Sequence, residues 1–366
     1  MNSAGPAGAA PSSRLRLAQL DGSLVRRVFE LSGPVSASPA SASALLMELP
    51  DASVELSLGV GVTRFDERGM PRVRDENLEQ AMAAVQEGAR CDSLLVVPTL
   101  YTFRDEFLRA VRLNCLRNDK LVQLTMSDVL LGGASELVLA RFLRTNPALR
   151  ELYLANCEVG CGSAFELGLA LRCNTNLESL DLADNVIGEE GSLALARALE
   201  GHNATLRDLY LHGNPVISLK SFATMLGSNV GLREISLDGG RQEPLDVDEF
   251  FSKLGPAMQR NRSLTALDLG ELKLSDKQKG TLASLLGQDT QLRELCFRGP
   301  VMDPGFEFLP VLASPSCCLT DISVRGPLWH HPAMRRPFWD MVEVVNLRRR
   351  LERRQPLRVW DLEKAR

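Results

Sequence analysis

Residues 177–203 read LESLDLADNVIGEEGSLALARALEGHN. Leu177, Leu180 and Leu182 follow an L-x-x-L-x-L spacing. That spacing puts apolar side chains on one face of a short strand with period 2. Asn185 follows where the chain turns, and an Asn side chain can satisfy the free backbone groups of a turn. The next segment is amphipathic with helical period: Leu193, Leu195, Ala196 and Leu199 share one side. Strand, turn and helix thus fit into fewer than thirty residues. One such unit cannot bury its apolar face alone, so it predicts neighbours of the same kind.

The neighbours are present on both sides. Upstream the pattern reads Leu149, Leu152, Leu154, Cys157, Val159, and before it Leu121, Leu124, Met126. Downstream it reads Leu206, Leu209, Leu211, Asn214, Val216, then Leu232, Ile235, Leu237, then Leu264, Leu267, Leu269. It ends with Leu292, Leu295, Phe297 and Leu319, Ile322, Val324. Successive starts are separated by 28, 28, 29, 26, 32, 28 and 27 residues. Weaker units precede these. Leu94–Val97 followed by Phe103–Leu116 reads as one strand and helix, and Val54–Val60 followed by Asn77–Val85 as another.

The repeats, with their N-x-I-G-x-x-G turn and full helix, resemble the ribonuclease-inhibitor-like class of leucine-rich repeats. The resemblance covers roughly residues 94–326. It implies an α/β fold: a leucine-rich-repeat solenoid (horseshoe) with parallel strands on the concave face and helices on the convex face. It specifies a fold and leaves the partner open, because one repeat class serves many binding roles. Gly240 and Pro300 depart from the turn Asn, and residues 240–249 lengthen one repeat, so distortion of the arc is expected there.

The domain organisation follows. Residues 1–50 hold 27 Ala, Ser, Gly or Pro. Such a segment cannot bury enough area to offset its ordering entropy and is expected to be a disordered leader, with a short helix around Leu20–Leu31. Residues 51–120 form degenerate repeats and an N-terminal cap. The solenoid runs from 121 to 327. Residues 328–366 leave the pattern and are expected to form a helical basic C-terminal cap. They carry ten basic and five acidic residues and all three tryptophans, Trp329, Trp339 and Trp360. A helix is expected over Trp339–Gln355. The competing interpretation, a basic helix for an acidic membrane or nucleic acid, is weakened by Glu343, Glu352, Asp361 and Glu363.

The whole chain has 366 residues, 45% hydrophobic and 24% charged, with a net charge of −4. That balance excludes a mainly disordered chain and argues against generic nucleic-acid binding. No apolar run reaches membrane-spanning length, and no secretory signal is legible. The eight cysteines lack metal-ligand or disulfide spacing, so reduced thiols in the cytoplasm are expected. The sequons at Asn203 and Asn261 then carry no glycan. No nucleotide-binding, metalloprotease or nucleophile-elbow motif occurs. His330–His331, His202 and His212 form no catalytic constellation, and Cys157 occupies the repeat's own Asn/Cys slot. No catalysis, cofactor or metal is expected.

Residues between the leucines face the concavity. The third position gives Gln123, Glu151, Ser179, Asp208, Glu234, Ala266, Glu294 and Asp321. The fifth gives Thr125, Tyr153, Asp181, Tyr210, Ser236, Asp268, Cys296 and Ser323. The seventh gives Ser127, Ala155, Ala183, His212, Asp238, Gly270, Arg298 and Arg325. The candidate protein-binding set is Glu151, Tyr153, Asp181, Asp208, Tyr210, His212, Glu234 and Asp268: an acidic groove with aromatic anchors, suited to a basic protein surface. Equally, the acids can space and solubilise the strands, with Arg of one repeat neutralising acid of the next. The expected function is a non-enzymatic, monomeric protein-binding scaffold without nucleic-acid or membrane partners. Two alternatives stand beside it. One is a bacterial type III effector delivered into a host cell, which the leader composition resembles. The other is a GTPase-activator-like regulator.

Overall fold

The computed structural model describes residues 121–126, 135–237, 246–298, 311–325 and 335–361, apart from 202, 216 and 289. It also describes the backbone of four upstream strands, β1 (Glu55–Ser57), β2 (Arg64–Phe65), β3 (Pro71–Arg72) and β4 (Ser93–Val96). The leader, the helices expected at 77–85 and 103–116, Ser127, His202, Asp238, Gly240, Pro300, Trp329 and His330–His331 lie outside the described residues. So do the side chains of Arg298, Arg325 and Trp360.

From β5 (Gln123–Met126) to β11 (Glu294–Arg298), strand and helix alternate. The order is α1 (Ser135–Thr145), β6 (Glu151–Tyr153), α2 (Cys161–Leu171), β7 (Ser179–Asp181), α3 (Glu189–Leu199) and β8 (Asp208–Tyr210). It continues with α4 (Leu219–Leu226), β9 (Glu234–Ser236), α5 (Val247–Arg260), β10 (Ala266–Lys273), α6 (Asp276–Leu286) and β11 (Glu294–Arg298). It closes with β12 (Asp321–Arg325), α7 (Arg335–Leu351) and β13 (Arg358–Asp361). Eleven strands form one open sheet in chain order, from β1 through β4 and β5 to β13. Every pair in it is parallel, because each strand is followed by a crossover. Only β2 and β3 form a separate antiparallel hairpin, between β1 and β4. Consecutive helices pack on one another behind the sheet. The protein is an α/β leucine-rich-repeat solenoid.

The register is the repeat made physical. Leu124, Leu152, Leu180, Leu209, Ile235, Leu267, Leu295 and Ile322 are partners across successive strands. All are essentially inaccessible, and each helix sends its own apolar stripe to meet them, as Leu195 and Leu199 do from α3. Leu193 lies at the edge of that stripe, half-buried. Each fully buried Leu contributes about 2 kcal/mol of burial free energy, so the row forms a continuous core no single unit could hold.

Two ladders of asparagines satisfy the turns. At the strand ends, Asn185 Oδ1 accepts from Cys157 N and Val159 N at 2.9 Å. Its Nδ2 donates to Leu154 O at 2.7 Å. Asn214 does the same one repeat on, toward Ile187 N and Leu182 O. The residues before these slots, Asn156, Asp184 and Gly213, are left-handed with φ of 52°, 53° and 75°. Asn and Asp tolerate that conformation, and Gly adopts it freely.

The second ladder runs along the helix ends through Asn146, Asn174, Asn203, Asn229 and Asn261, all buried. Asn203 Oδ1 accepts from Thr205 N and Leu206 N. Its Nδ2 donates to Leu171 O and Asn174 O, in the preceding repeat. Asn229 and Asn261 repeat this geometry. Both sequon asparagines are therefore ladder members whose amides are spent internally.

At the C-terminus the alternation continues further than its residues predict. Strand β13 pairs in parallel with β12, and α7 covers the last gap. Helix α7 spans Arg335–Leu351 rather than Trp339–Gln355, and it buries Val342, Val345 and Arg349 at helical spacing. Arg349 is 1% exposed. It donates to the carbonyls of Leu312, Leu319, Gln355 and Cys317. Arg354 donates to Ser314 O and Cys317 O. These guanidinium groups take over the role of the Asn ladder where the repeats end. Burial pulls the pKa of Arg349 down from its ordinary value.

Residues 240–245 and Pro300, where distortion of the arc is expected, lie outside the described residues. An irregularity appears one repeat on: strand β10 is eight residues long, and its register to β11 shifts between Asp268 and Lys273. Gly270, at φ 47°, takes the left-handed turn there.

Candidate functional site

The strands present two in-register rows to the concave side. The first runs Gln123, Glu151, Ser179, Asp208, Glu234, Ala266, Glu294, Asp321, Arg358. The second runs Thr125, Tyr153, Asp181, Tyr210, Ser236, Asp268, Cys296, Ser323. Adjacent strands lie about 4.8 Å apart, so neighbours in a row are within reach of one bound side chain. The candidates from the sequence are thus brought onto one surface, but they differ in what each can offer.

Glu151, Asp208 and Glu234 are half-buried and reach solvent. Asp208 has its pKa pushed up to about 6, chiefly by burial. Arg207 and Arg233 oppose the shift, while Glu151 and Glu178 add to it. Glu294 is raised by burial and by Asp321. Asp321 is paired with Arg358 at 2.7 Å.

Tyr153 is half-buried, and its hydroxyl donates to Glu151 Oε2 at 3.0 Å. Burial and the Glu151 charge raise its pKa, keeping the phenol neutral. Tyr210, on the next strand but one, is only 4% exposed and forms part of the wall rather than a protruding anchor. Asp181 and Asp268 are 5% and 7% exposed. Each commits one oxygen to the backbone two residues on, Asp181 to Ala183 N at 2.8 Å and Asp268 to Gly270 N at 2.7 Å. Asp268 also accepts from Ser236 Oγ. These two acids shape the turn leaving the strand. His212 is half-buried in the turn after β8, and its carbonyl accepts from Asp184 N.

One residue before each strand lies a further row: Arg150, Glu178, Arg207, Arg233, Thr265, Arg293, Thr320. Its backbone forms a hydrogen-bonded chain from repeat to repeat. Glu178 is flanked by Arg150 at 3.2 Å and Arg207 at 3.5 Å. Arg of one repeat meets acid of the next in this rim row, and Arg358 does the same for Asp321 among the strand residues. The L-R-E/D-L motif is the signal for it: Arg falls on the rim and acid on the groove floor.

The described residues contain no group of three or more His, Cys, Asp or Glu able to hold a metal ion. No described helix is long and apolar enough to cross a membrane.

Comparison with known proteins agrees with this geometry. A family model described as Leucine Rich repeat matches residues 173–196. The chain is 27% identical over 185 residues to the ribonuclease inhibitor of Sus scrofa, covering 50% of this chain and 40% of that protein. It therefore spans less than half the length of that curated relative. Among solved structures, Leiomodin-1 Actin-Binding Site 2 matches at 23% identity and a TM-score of 0.34, over 44% of this chain and 92% of that one. The tropomodulin C-terminal domain of Caenorhabditis elegans matches at 14% identity and a TM-score of 0.33, over 49% and 90%. With its repeats in register and these sequence matches, the chain is a leucine-rich-repeat solenoid similar to proteins of the ribonuclease-inhibitor-like type.

Proposed function

We propose that the protein is a non-enzymatic scaffold that binds a basic protein surface through its concave face, as a monomer in a reducing cytoplasm. The observation that carries this is the in-register row of Glu151, Asp208 and Glu234, half-buried acids that reach solvent on the concave side. Burial raises the Asp208 pKa to about 6 against the pull of Arg207 and Arg233, so that carboxylate is partly desolvated. A partner's Lys or Arg placed there would stabilise its charged form. Glu151 and Glu234 flank Asp208 along the same row, and Tyr153 supplies a half-buried aromatic surface beside them. The curated relative is named for inhibiting a ribonuclease, a function exerted on another protein. A reducing compartment agrees with six free cysteines among the described residues.

The test is affinity capture with the full chain and with a Glu151→Gln/Asp208→Asn/Glu234→Gln variant, circular dichroism confirming equal folding. Partners with a basic surface should be captured by the wild type, released by salt above about 0.5 M, and lost by the variant. Identical capture by both proteins overturns the concave assignment. Tyr153→Ala should weaken capture by about tenfold, equivalent to about 1.4 kcal/mol.

A further inference from the structure

On the rim beside the acidic groove, the loops entering β8 to β11 enclose a cavity of about 610 Å³. Four arginines line it: Arg207, Arg233, Arg262 and Arg293. Arg207, Arg233 and Arg293 occupy the same repeat position, with Thr265 between the last two. The spacing is fixed by the backbone: Arg233 N donates to Arg207 O, Thr265 N to Arg233 O, and Arg293 N to Thr265 O. The guanidinium groups therefore spring from points zero, one and three strands along the rim. At about 4.8 Å per strand that is a span of about 14 Å. Arg207 leans on Glu178, whereas Arg233 and Arg293 are exposed. Val230, 75% exposed, adds an apolar surface to the same cavity.

We propose that this rim docks an extended acidic segment of a protein partner, with carboxylates on alternate residues. The dimensions select that ligand. Side chains on one side of an extended chain recur every ~6.8 Å, so acids at i, i+2 and i+4 cover about 14 Å. A single oxyanion reaches one neighbouring pair of arginines and leaves the third alone. Carboxylates also suit the Arg fork, which pairs with them bidentately. A long polyanion fits less well, because the acidic row of Asp208, Glu234 and Glu294 runs alongside and repels charge that is not confined to the rim. Glu294 of the concave row also lines this cavity, so the two sites adjoin, and together they suit a partner carrying both signs of charge. It rests on the rim's own geometry, so its failure leaves the concave assignment standing.

The experiment is fluorescence anisotropy on the purified full chain. The probes are a short labelled peptide of alternating Glu and Ala, its Gln counterpart and a short single-stranded oligothymidine. The Glu peptide should bind in a salt-sensitive manner, at least about tenfold more tightly than either other probe. An Arg233→Gln/Arg293→Gln variant should weaken it by about tenfold or more. Both side chains are exposed, so the variant should fold, and circular dichroism checks that. Glu151→Gln/Glu234→Gln should not weaken peptide binding. Absence of binding, equal binding of the Glu and Gln peptides, indifference to the arginine substitutions, or tighter binding of the oligonucleotide would each overturn the proposal.

Discussion

At the scale of single residues, the same side-chain type does unlike work according to its slot. Asp181 and Asp208 sit on neighbouring strands, yet Asp181 is turned into the backbone while Asp208 keeps a strained charge. The sign of the Asp208 contribution follows from its pKa. An acid that is weaker folded than unfolded costs no stability when protonated in both states. It costs progressively more as pH rises from about 4 to about 6, and the full cost persists above. Asp208→Asn should therefore raise urea stability at pH 7 by about 1 kcal/mol after allowance for solvent screening. The gain should vanish near pH 3, and a gain equal at both pH values would contradict the assignment. Asn203 is the opposite case. Its amide serves two N–H groups and two carbonyls. Asn203→Ala leaves these groups buried and unsatisfied and should cost about 3 kcal/mol in denaturant titration. Retention of wild-type stability would show that water replaces the amide.

At the scale of elements, stacking imposes close approaches that limit which residues fit. A Cβ on Gly231, in the loop before β9, would lie 2.6 Å from Ala204 O and 2.7 Å from its carbonyl carbon, both backbone atoms of the preceding repeat. Gly231→Ala should lower the melting temperature by several degrees, at a cost of about 2 kcal/mol. An unchanged melting temperature would mean that the two loops separate freely. One helix start shows a local signal instead. Ser275 and Gln278 form a reciprocal capping box at the start of α6, a pair legible as S-x-x-Q. The strand and helix order of residues 121–325 was equally legible, since leucines at fixed spacing must share a face. The second Asn ladder is harder to read from the sequence, though its members recur three residues before a leading leucine. An Asn near a helix end reads as an ordinary cap until the preceding repeat supplies its carbonyls.

At the scale of the whole molecule, the solenoid needs an end. Arg349 and Arg354, read from the sequence as surplus positive charge, are drawn into carbonyl-rich sites at the last repeat. Arg349→Ala should strip the carbonyls of Leu312, Leu319 and Gln355 of this donor and leave a cavity, costing about 3 kcal/mol. Hydrogen exchange should accelerate first in β12, α7 and β13, because a stacked array frays from its cap. Uniform acceleration along the chain would show instead that the array unfolds as one unit. The fold class, the repeat step and the rows facing the concavity were determined by the sequence alone. Periodic burial leaves a leucine chain only one way to stack. The tertiary structure decided which row residues remain available. It buried Tyr210, Asp181 and Asp268, left Asp208 and Glu234 at the surface, and gathered arginines of separate repeats around one cavity. Those outcomes depend on distances between residues some thirty positions apart, which curvature and register set and no local spacing encodes.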